Sequence, residues 1–292
     1  IADVLGRDPL EYRREMLIRP EDLPYRDARG KFIDSGSHLE AFDQAVEWGR
    51  AARHRHIPEV GHRIGIGYAT YVEGVGPTYF GTSGRWTAGD GAQVRIEPDG
   101  NVTVSSPVID MGQGTKTMVA TVAAEALGVP VDDVEVRLGD TDVTPYGLGS
   151  FGARSSIVAA GGIVRAAAAV RAKVLQIAAH KLEAAVEDLA IEGGHIHVRG
   201  SMKASISFKE VAAAAYFRTF ELPAEMTSGL TDTAVYESEG VDHLPDSKGQ
   251  MNACVSYSNS THVAVVDIDL ATCDLSVIDY LVVHDCGPLI NP

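Results

Sequence analysis

The sequence is poor in cysteine and in basic side chains, and each shortage excludes a class of protein. Its 292 residues include three cysteines and no CxxC pair. This excludes a disulfide framework and a zinc site of the usual spacing, and it indicates a reducing compartment. Lysine and arginine total 25 against 40 acidic residues, a net charge of −15. Nonspecific binding of nucleic acid or an acidic membrane needs a basic face, so any anionic ligand must be bound by local donors.

Long apolar runs and the common serine-nucleophile motif are missing as well. The sequence contains no apolar stretch of about 18 residues and no signal peptide, so it predicts no association with a membrane. It also contains no GxSxG elbow, the turn that exposes a catalytic serine in many hydrolases. We therefore expect a cytoplasmic protein that does not use a serine nucleophile.

The remaining composition is that of a globular protein large enough to bury a sizeable core. The first residues, IADVLGRDPLEYRREML, resemble the later part of a helix and lack an initiator methionine. The last residues, HDCGPLINP, directly follow a strand pattern. We expect from both ends that the chain is a piece of a longer protein.

Hydrophobic periodicity predicts helices and strands in an irregular order. Helices are expected over residues 1–17, 37–56, 115–129, 155–188 and 207–217, and strands over 64–76, 92–98, 102–106, 131–143, 195–200 and 261–287. Residues 218–260 show no strong period. Asp99-Gly100, between two of the strands, is a hairpin signal. Gly161-Gly162 is predicted to interrupt the long helix, and close approach of another backbone is expected there. Because the elements do not alternate, the order predicts an α+β fold with mixed sheets and packed helices. Pro58 to Gly61 resembles a boundary, which divides the chain into residues 1–60 and 61–292.

The most distinctive stretch is PYGLGSFGARSSIVAAGGIVRAAAAV, residues 145–170. Three glycines in its loop lead into Arg154, Ser155 and Ser156 and then into an alanine-rich helix. Glycines let a ligand approach the backbone, and a helix N-terminus offers N–H donors and a positive dipole. This combination predicts a site for phosphate or pyrophosphate, with Arg154 as a charged donor.

The same loop matches GxGxxG from Gly147 to Gly152, but it does not predict a nicotinamide site. A Rossmann site needs a strand immediately before the loop, a short helix and an acidic residue about 20 positions later. Here Thr144-Pro145-Tyr146 precedes the loop, position 172 is alanine, and the helical pattern continues. An anion site is still predicted at this loop, because such a site requires only the glycines and the helix start.

A second glycine turn, Gly112-Gln113-Gly114, precedes a helix that begins near Thr115. Gln113 carries both a donor and an acceptor, which suits a ligand with mixed hydrogen-bonding groups. The alternative is a simple helix-start turn with a surface glutamine. Cys286 follows a strand pattern, and its thiol or backbone is a further candidate for contact with a cofactor.

Several segments together resemble one family, the large subunit of the xanthine dehydrogenase/aldehyde oxidase/carbon monoxide dehydrogenase family. The resemblance covers essentially the whole chain. It is carried, in chain order, by GYATYVEGVG (67–76), MGQGTKTMVATVAAEALGVP (111–130), VRLGDTDVTPYGLGSFGARSSIVAAGG (136–162) and VVHDCGPLINP (282–292). The order of the four segments makes the resemblance specific.

The resemblance implies a molybdopterin dinucleotide cofactor, in the cytosine form, and hydroxylation of a small aldehyde, purine or N-heterocycle with oxygen from water. It implies that Gln113 and its neighbours contact the pterin or the molybdenum side, and that the loop from Gly149 holds the pyrophosphate and dinucleotide. Ala153 stands where the family usually has serine. The implied cofactor-binding residues are Gly112, Gln113, Gly114, Thr115, Gly149, Ser150, Phe151, Gly152, Ala153, Arg154, Ser155, Ser156 and Cys286.

The resemblance also implies what other parts of the protein supply. Partner subunits or domains would carry two [2Fe–2S] clusters and FAD, and the rest of the large subunit would complete the cofactor site. Within this chain, the resemblance implies that residues 1–60 are the end of a first molybdopterin-binding half and a connector, and that residues 61–292 are a second half, truncated at its C-terminus. The general base of the family is a glutamate in a motif beyond Pro292, so no residue of this chain is assigned as catalytic. The alternative is a cofactor-binding or scaffold module without turnover. In either case we expect the isolated chain to be inactive.

Overall fold

The computed structural model describes residues 1–81, 84–86 and 89–291 and contains helices and several small sheets. The α-helices are α1 (Pro9–Glu15), α2 (His38–Arg55), α3 (Thr115–Leu127), α4 (Ser155–Leu182) and α5 (Phe208–Phe217). The strands are β1 (Tyr25–Arg26), β2 (Phe32–Ile33), β3 (His62–Val75), β4 (Tyr79–Gly81), β5 (Gly84–Trp86), β6 (Asp90–Ile96), β7 (Val102–Ser106), β8 (Val134–Leu138), β9 (Leu189–Glu192), β10 (His195–Val198), β11 (Ser201–Ser207), β12 (Thr231–Tyr236), β13 (Ser256–Asp269) and β14 (Leu275–Asp285). Within the described ranges, no helix is both long enough and apolar enough to span a membrane.

The chain divides into two compact units. The first unit joins Ile1–Val75 to Val241–Leu289, and the second consists chiefly of Gly76–Gly240. The boundary predicted near residue 60 separates two halves of a cofactor-binding region and so divides the chain in a different way. That boundary stays a prediction. Strand pairing explains the first unit, because β3 pairs along its whole length with β13, almost 200 residues later.

An antiparallel sheet in the order β14-β13-β3 forms the centre of the first unit. Helix α2 packs against this sheet through residues spaced three and four apart, the spacing of an amphipathic helix. Its buried residues are His38, Ala41, Phe42, Ala45, Val46, Gly49 and Ala52. Glycine is required at position 49, because a Cβ there would lie 2.2 Å from Tyr68 Oη.

The second unit is built on a four-stranded sheet in the order β12-β6-β7-β8. Strands β6 and β7 pair as the antiparallel hairpin that Asp99-Gly100 predicts. Strand β8 is parallel to β7, and the chain crosses between them through α3. Helix α4 packs against β6, β12 and α3. The glycine turns before α3 and α4 therefore both belong to segments that pack on this one sheet.

The long helix α4 keeps its helical conformation through Gly161 and Gly162, where the sequence predicts an interruption. The glycines instead permit close packing, as the sequence also predicts. A Cβ at Gly161 would lie 2.2 Å from the Tyr236 ring, and one at Gly162 would lie 3.2 Å from the Ala92 backbone nitrogen. The helix ends at Leu182, and Glu183 follows in the left-handed conformation.

Most predicted elements are present, and the differences lie at short or exposed segments. Helix α1 covers only Pro9–Glu15, begins at the capping side chain of Asp8 and buries no residue. Strand β12 lies inside the stretch predicted to be irregular and pairs with β6. Its six residues are too short for periodicity to identify, and its position at the sheet edge leaves it partly exposed.

Candidate functional site

The two glycine turns face one open cavity of about 440 Å³ in the second unit. The turn before α3 contributes one side, and the loop before α4 contributes the other. The cavity is lined by Met111, Gln113, Gly114, Thr115, Met118, Ser150, Phe151, Gly152, Ala153, Ser155 and Ser156. Both glycine turns therefore line the same cavity, which is the arrangement that one ligand extending over both turns requires.

Left-handed backbone at two glycines shapes the turn before α3. Gly112 has φ +100° and Gly114 has φ +80°, conformations that residues with a Cβ rarely adopt. A Cβ built at either position would meet no atom within 4 Å. The space beside this backbone is therefore open, and a ligand can approach it closely.

Asp110 organises the same turn through its carboxylate. Oδ1 accepts a hydrogen bond from the Gly112 N–H at 2.9 Å, and Oδ2 accepts one from the Lys116 N–H at 2.9 Å. These N–H groups, that of Lys116 foremost, hold the pKa of Asp110 below its ordinary value. The carboxylate is thus charged at neutral pH and lies against the positive end of α3.

Gln113 is held by the turn that carries it. Its Oε1 accepts a hydrogen bond from the Met111 N–H, and its Nε2 donates to the Ile109 carbonyl at 3.3 Å. The sequence leaves two alternatives for Gln113, a residue that contacts a ligand or a surface glutamine in a helix-start turn. The structure places Gln113 in the cavity lining, with its side-chain amide bonded to the backbone of its own turn. The bonds fix the side chain in one orientation.

Ser150 joins the two turns. Its Oγ accepts a hydrogen bond from the Ile109 N–H at 2.8 Å and lies 2.9 Å from the Ile109 carbonyl oxygen, to which it can donate. Ser155 Oγ lies 2.9 Å from Ser150 Oγ. These contacts couple the segment before α3 to the first turn of α4.

Arg154 lies behind the loop and not in the cavity lining. Its side chain is fully buried, forms an ion pair with the fully buried Asp90, and donates to the Gly149 carbonyl at 2.7 Å. The guanidinium also lies 4.8 Å from the centre of the Phe151 ring. This placement differs from the predicted contact between Arg154 and phosphate, because the buried carboxylate already neutralises the guanidinium charge.

Asp90 extends the support of the loop. Its Oδ1 accepts a hydrogen bond from the Leu148 N–H at 2.8 Å. A Cβ at Gly147 would lie 2.5 Å from the same oxygen and 2.2 Å from Pro107 Cγ. Gly147 is therefore required for packing against Asp90 and Pro107, and its part in the GxGxxG match has a structural explanation.

The start of α4 faces the cavity with backbone donors and hydroxyls. Ala153 precedes it with φ +51°, an uncommon left-handed conformation for a residue with a Cβ. The N–H groups of a helix's first turn have no acceptor within the helix, and Ser155 and Ser156 lie in that turn. Together with their hydroxyl groups, they form the donor-rich side of the cavity.

Four predicted residues are absent from the cavity lining, and they are Gly112, Gly149, Arg154 and Cys286. Gly149 lines a neighbouring cavity of about 420 Å³. Cys286 lies in the first unit, exposed, immediately after β14. The preceding Asp285 accepts hydrogen bonds from the Gly287 N–H and from Ser37, which lower its pKa.

The lining includes two methionines, Met111 and Met118, that sequence reasoning did not select. Met118 lies one helical turn after Gly114 and therefore on the same side of α3 as the glycine turn. The position of the glycine turn is the sequence signal that could have identified it. Together with Phe151, the two methionines supply apolar side chains to the cavity lining. No described lining residue carries a side chain that titrates near neutral pH. Among the described residues there is also no cluster of three His, Cys, Asp or Glu side chains arranged to bind a metal.

The family model for the molybdopterin cofactor-binding domain matches residues 41–292. The chain belongs to this family. Members similar to it include the nicotine 6-hydroxylase large subunit of Paenarthrobacter nicotinovorans, at 31% identity, and the carbon monoxide dehydrogenase large chain of Hydrogenophaga pseudoflava, at 32%. Each match covers 100% of this chain and 35% of the relative. The chain therefore spans about 35% of the length of these relatives.

The chain is also similar to a solved structure over its whole length. Quinoline 2-oxidoreductase from Pseudomonas putida 86 matches with a TM-score of 0.74 and 35% identity, over 100% of this chain and 36% of that one. The family resemblance and the α+β fold expected from the sequence are confirmed. A molybdenum cofactor is the group that this domain family binds.

The residues of the cavity fit the chemistry of a molybdopterin group. Open backbone at Gly114 admits a flat ring, and Met111, Met118 and Phe151 supply apolar contacts. The first turn of α4 supplies the donors that a pyrophosphate needs. The net charge of −15 makes such local donors necessary.

Proposed function

We propose that this chain forms part of the cofactor site of a molybdenum hydroxylase large subunit. The complete subunit would hydroxylate a carbon of a small aldehyde, purine or N-heterocycle, with the oxygen supplied by water. The observation that carries this proposal is the single cavity between two glycine turns joined at Ser150. Family membership supports the cofactor class.

We further propose how the residues divide the cofactor. The turn from Gly112 to Thr115 would face the pterin and the molybdenum side. Residues 149–156 would face the pyrophosphate and the cytosine nucleotide, with Ser155 and Ser156 as direct donors. Arg154 would hold the loop in place through Asp90. When bound, the molybdenum group supplies the two-electron oxidation, and this chain's residues bind and orient it.

Proton transfer would require residues outside this cavity lining. The described lining side chains are amides, hydroxyls, thioethers and hydrocarbons, and none of them is an efficient general base near neutral pH. This favours the proposal that the rest of the large subunit supplies a base. We expect the isolated 292-residue chain to show no hydroxylation, whereas detectable turnover by it would contradict this division.

The proposal extends to the partners and the location of the complete enzyme. Electrons removed from the substrate would pass to [2Fe–2S] clusters and FAD on partner modules in the cytoplasm. The names of the relatives at 31% and 35% identity specify nicotine and quinoline. N-heterocycles are therefore the first substrates to test, with aldehydes and purines next.

Metal and nucleotide analysis of the purified full-length protein tests the proposed function. We expect molybdenum together with cytidylate released by acid hydrolysis. Protein that contains neither molybdenum nor a pterin-linked nucleotide would overturn the proposal. Hydroxylation with ¹⁸O-labelled water would then test the oxygen source, and label absent from the product would refute that part.

A further inference from the structure

The antiparallel sheet of the first unit has two faces that differ in exposure. Helix α2 packs on one of them, where a Cβ built at Gly49 would lie 2.2 Å from Tyr68 Oη. Successive side chains of a strand point to opposite faces. The other face, here called the outer face, therefore carries Tyr71 of β3, together with His262 of β13 and Tyr280 of β14, which contact one another.

Large apolar side chains are exposed on the outer face. They are Leu275, Val277, Tyr280 and Val282 of β14, each 48 to 60% exposed. Their partners in β13 are even-numbered residues, on the same side of the sheet as His262. A sheet face in contact with water normally carries polar residues, whereas a strand covered on both faces is apolar without alternation. Tyr280–Val283 is such an unbroken apolar run.

The polar atoms of the aromatic cluster on this face are already paired with one another. His262 Nδ1 lies 2.9 Å from Tyr280 Oη, and His262 Nε2 lies 3.3 Å from Tyr71 Oη. The ring centroids of the two tyrosines lie 5.5 Å and 5.7 Å from that of His262. Burial of a polar group is costly mainly when its hydrogen bonds are not made. An apolar segment can therefore cover this cluster without breaking a hydrogen bond.

Strand β14 also lies at the edge of the sheet, in the order β14-β13-β3, and is eleven residues long. An exposed, long and apolar edge strand is a site of aggregation, and natural proteins cover such edges. The exposed face and the free edge therefore belong to the same strand, and one covering segment would protect both.

We propose that the outer face and free edge of β14 are the docking surface for a further segment of the same large subunit. The chain spans about 35% of the length of its relatives, so most of a complete subunit lies outside these residues. A segment of the same polypeptide has a high effective concentration at this surface. It also avoids the loss of translational freedom that a separate partner incurs. The inference uses family membership and does not depend on the proposed function.

Cysteine labelling of the full-length large subunit, purified without partner subunits, tests this docking surface. Val277→Cys and Val282→Cys would be treated with N-ethylmaleimide, and labelling would be followed by peptide mass spectrometry in native and urea-unfolded protein. A thiol beneath a packed segment reacts only after local opening, so native labelling should be slower by roughly tenfold or more. Val235→Cys, at an equally exposed position of β12, is the matched control and should label at nearly its unfolded rate.

Hydroxyl-radical footprinting of the wild type makes the test independent of any substitution. Tyr280 is 53% exposed in this chain, and Phe220 of the second unit is 84% exposed. In the full-length subunit, oxidation of Tyr280 should be slowed relative to its unfolded rate far more than oxidation of Phe220. Equal slowing of the two rings would contradict the proposal.

The occupant is identified by how the protection at Val277→Cys and Val282→Cys arises. Protection in the subunit alone, unchanged on dilution, supports a segment of the same polypeptide. The inference is overturned if both positions label at nearly their unfolded rates, if protection disappears on dilution, which indicates a second copy, or if it requires added partner subunits. Absence of molybdenum and cytidylate would overturn the proposed function and leave these labelling rates as expected.

Discussion

The two glycine turns of the second unit have similar sequences and different physical support. The turn before α3 is exposed, and a carboxylate of its own, Asp110, holds it from within. The loop before α4 is held from behind by the buried ion pair between Arg154 and Asp90. Both turns lead into a helix and line the same cavity.

The comparison shows that two similar glycine turns can place their nearest charges differently. In the turn before α3, the Asp110 carboxylate accepts a hydrogen bond from the Lys116 N–H in the first turn of the helix. In the loop before α4, the paired charges are buried, and Ser155 and Ser156 line the cavity. Substitutions in the loop before α4, including Ser150 that links this loop to the turn before α3, test the comparison.

The largest expected effect is a loss of folding stability in Arg154→Ala, measured on the protein without cofactor. Removing one partner of a buried ion pair leaves a buried charge uncompensated, which costs about 3–5 kcal/mol. Denaturant unfolding of the full-length protein, prepared without molybdenum, measures this loss. Arg14→Ala is the control, because its pair with Asp43 is about half exposed, and it should cost about 0–1 kcal/mol. A normal stability of Arg154→Ala combined with poor cofactor retention would instead support direct phosphate contact.

Gly147→Ala should have the next largest effect. The new Cβ would lie 2.2 Å from Pro107 Cγ, and overpacking of this kind costs about 1–3 kcal/mol. The same unfolding experiment measures it. Gly67→Ala, in β3, is the reference, because a Cβ there meets no atom within 4 Å. Equal stabilities of the two variants would show that the loop adjusts freely and is not held by Asp90 and Pro107.

Ser150→Ala should uncouple the two turns at a smaller cost. It removes the hydroxyl that contacts Ile109 and Ser155, and such hydrogen bonds contribute about 0.5–1.5 kcal/mol each. Hydrogen exchange should accelerate in both segments together. Ser156→Ala is the control, since Ser156 is exposed at the cavity and should leave exchange without cofactor nearly unchanged. Acceleration confined to one segment would exclude the coupling.

Ala153→Gly should have the smallest effect and the opposite sign. A left-handed residue with a Cβ is disfavoured by roughly 1–2 kcal/mol, and the greater chain entropy of glycine offsets roughly 0.5–1 kcal/mol of that gain. The net stabilisation should therefore lie between about 0 and 1.5 kcal/mol. Ala168→Gly, on the exposed face of α4, should cost about 1 kcal/mol. Destabilisation at both positions would contradict the strain assigned to Ala153.

The sequence predicts the long elements of this fold better than the short ones. Strand β3, the β6–β7 hairpin and helix α5 with its cap at Ser207 match their patterns closely, because each has a full period or a distinct turn signal. Strand β12 has neither and depends on pairing with β6. Helix α1 is shorter than its pattern indicates, since no described side chain of it is buried.

At the site, the sequence identifies both turns but not how charges are distributed around them. The loop motifs predict most of the cavity lining, since glycine and serine positions are fixed by the local backbone. The pairing of Arg154 with Asp90 joins residues 64 positions apart, which no local pattern reveals. Asp110, by contrast, accepts hydrogen bonds from N–H groups two and six positions later, a local Asx-turn arrangement that the residue order can indicate.

Hydrogen exchange of the full-length protein with and without its molybdenum cofactor tests the central claim most directly. If the cavity between the two turns holds the cofactor, loading should slow exchange in residues 109–118 and 150–158 together, more than in the exposed turn around Asp246. Protection absent from both segments on loading would contradict the account.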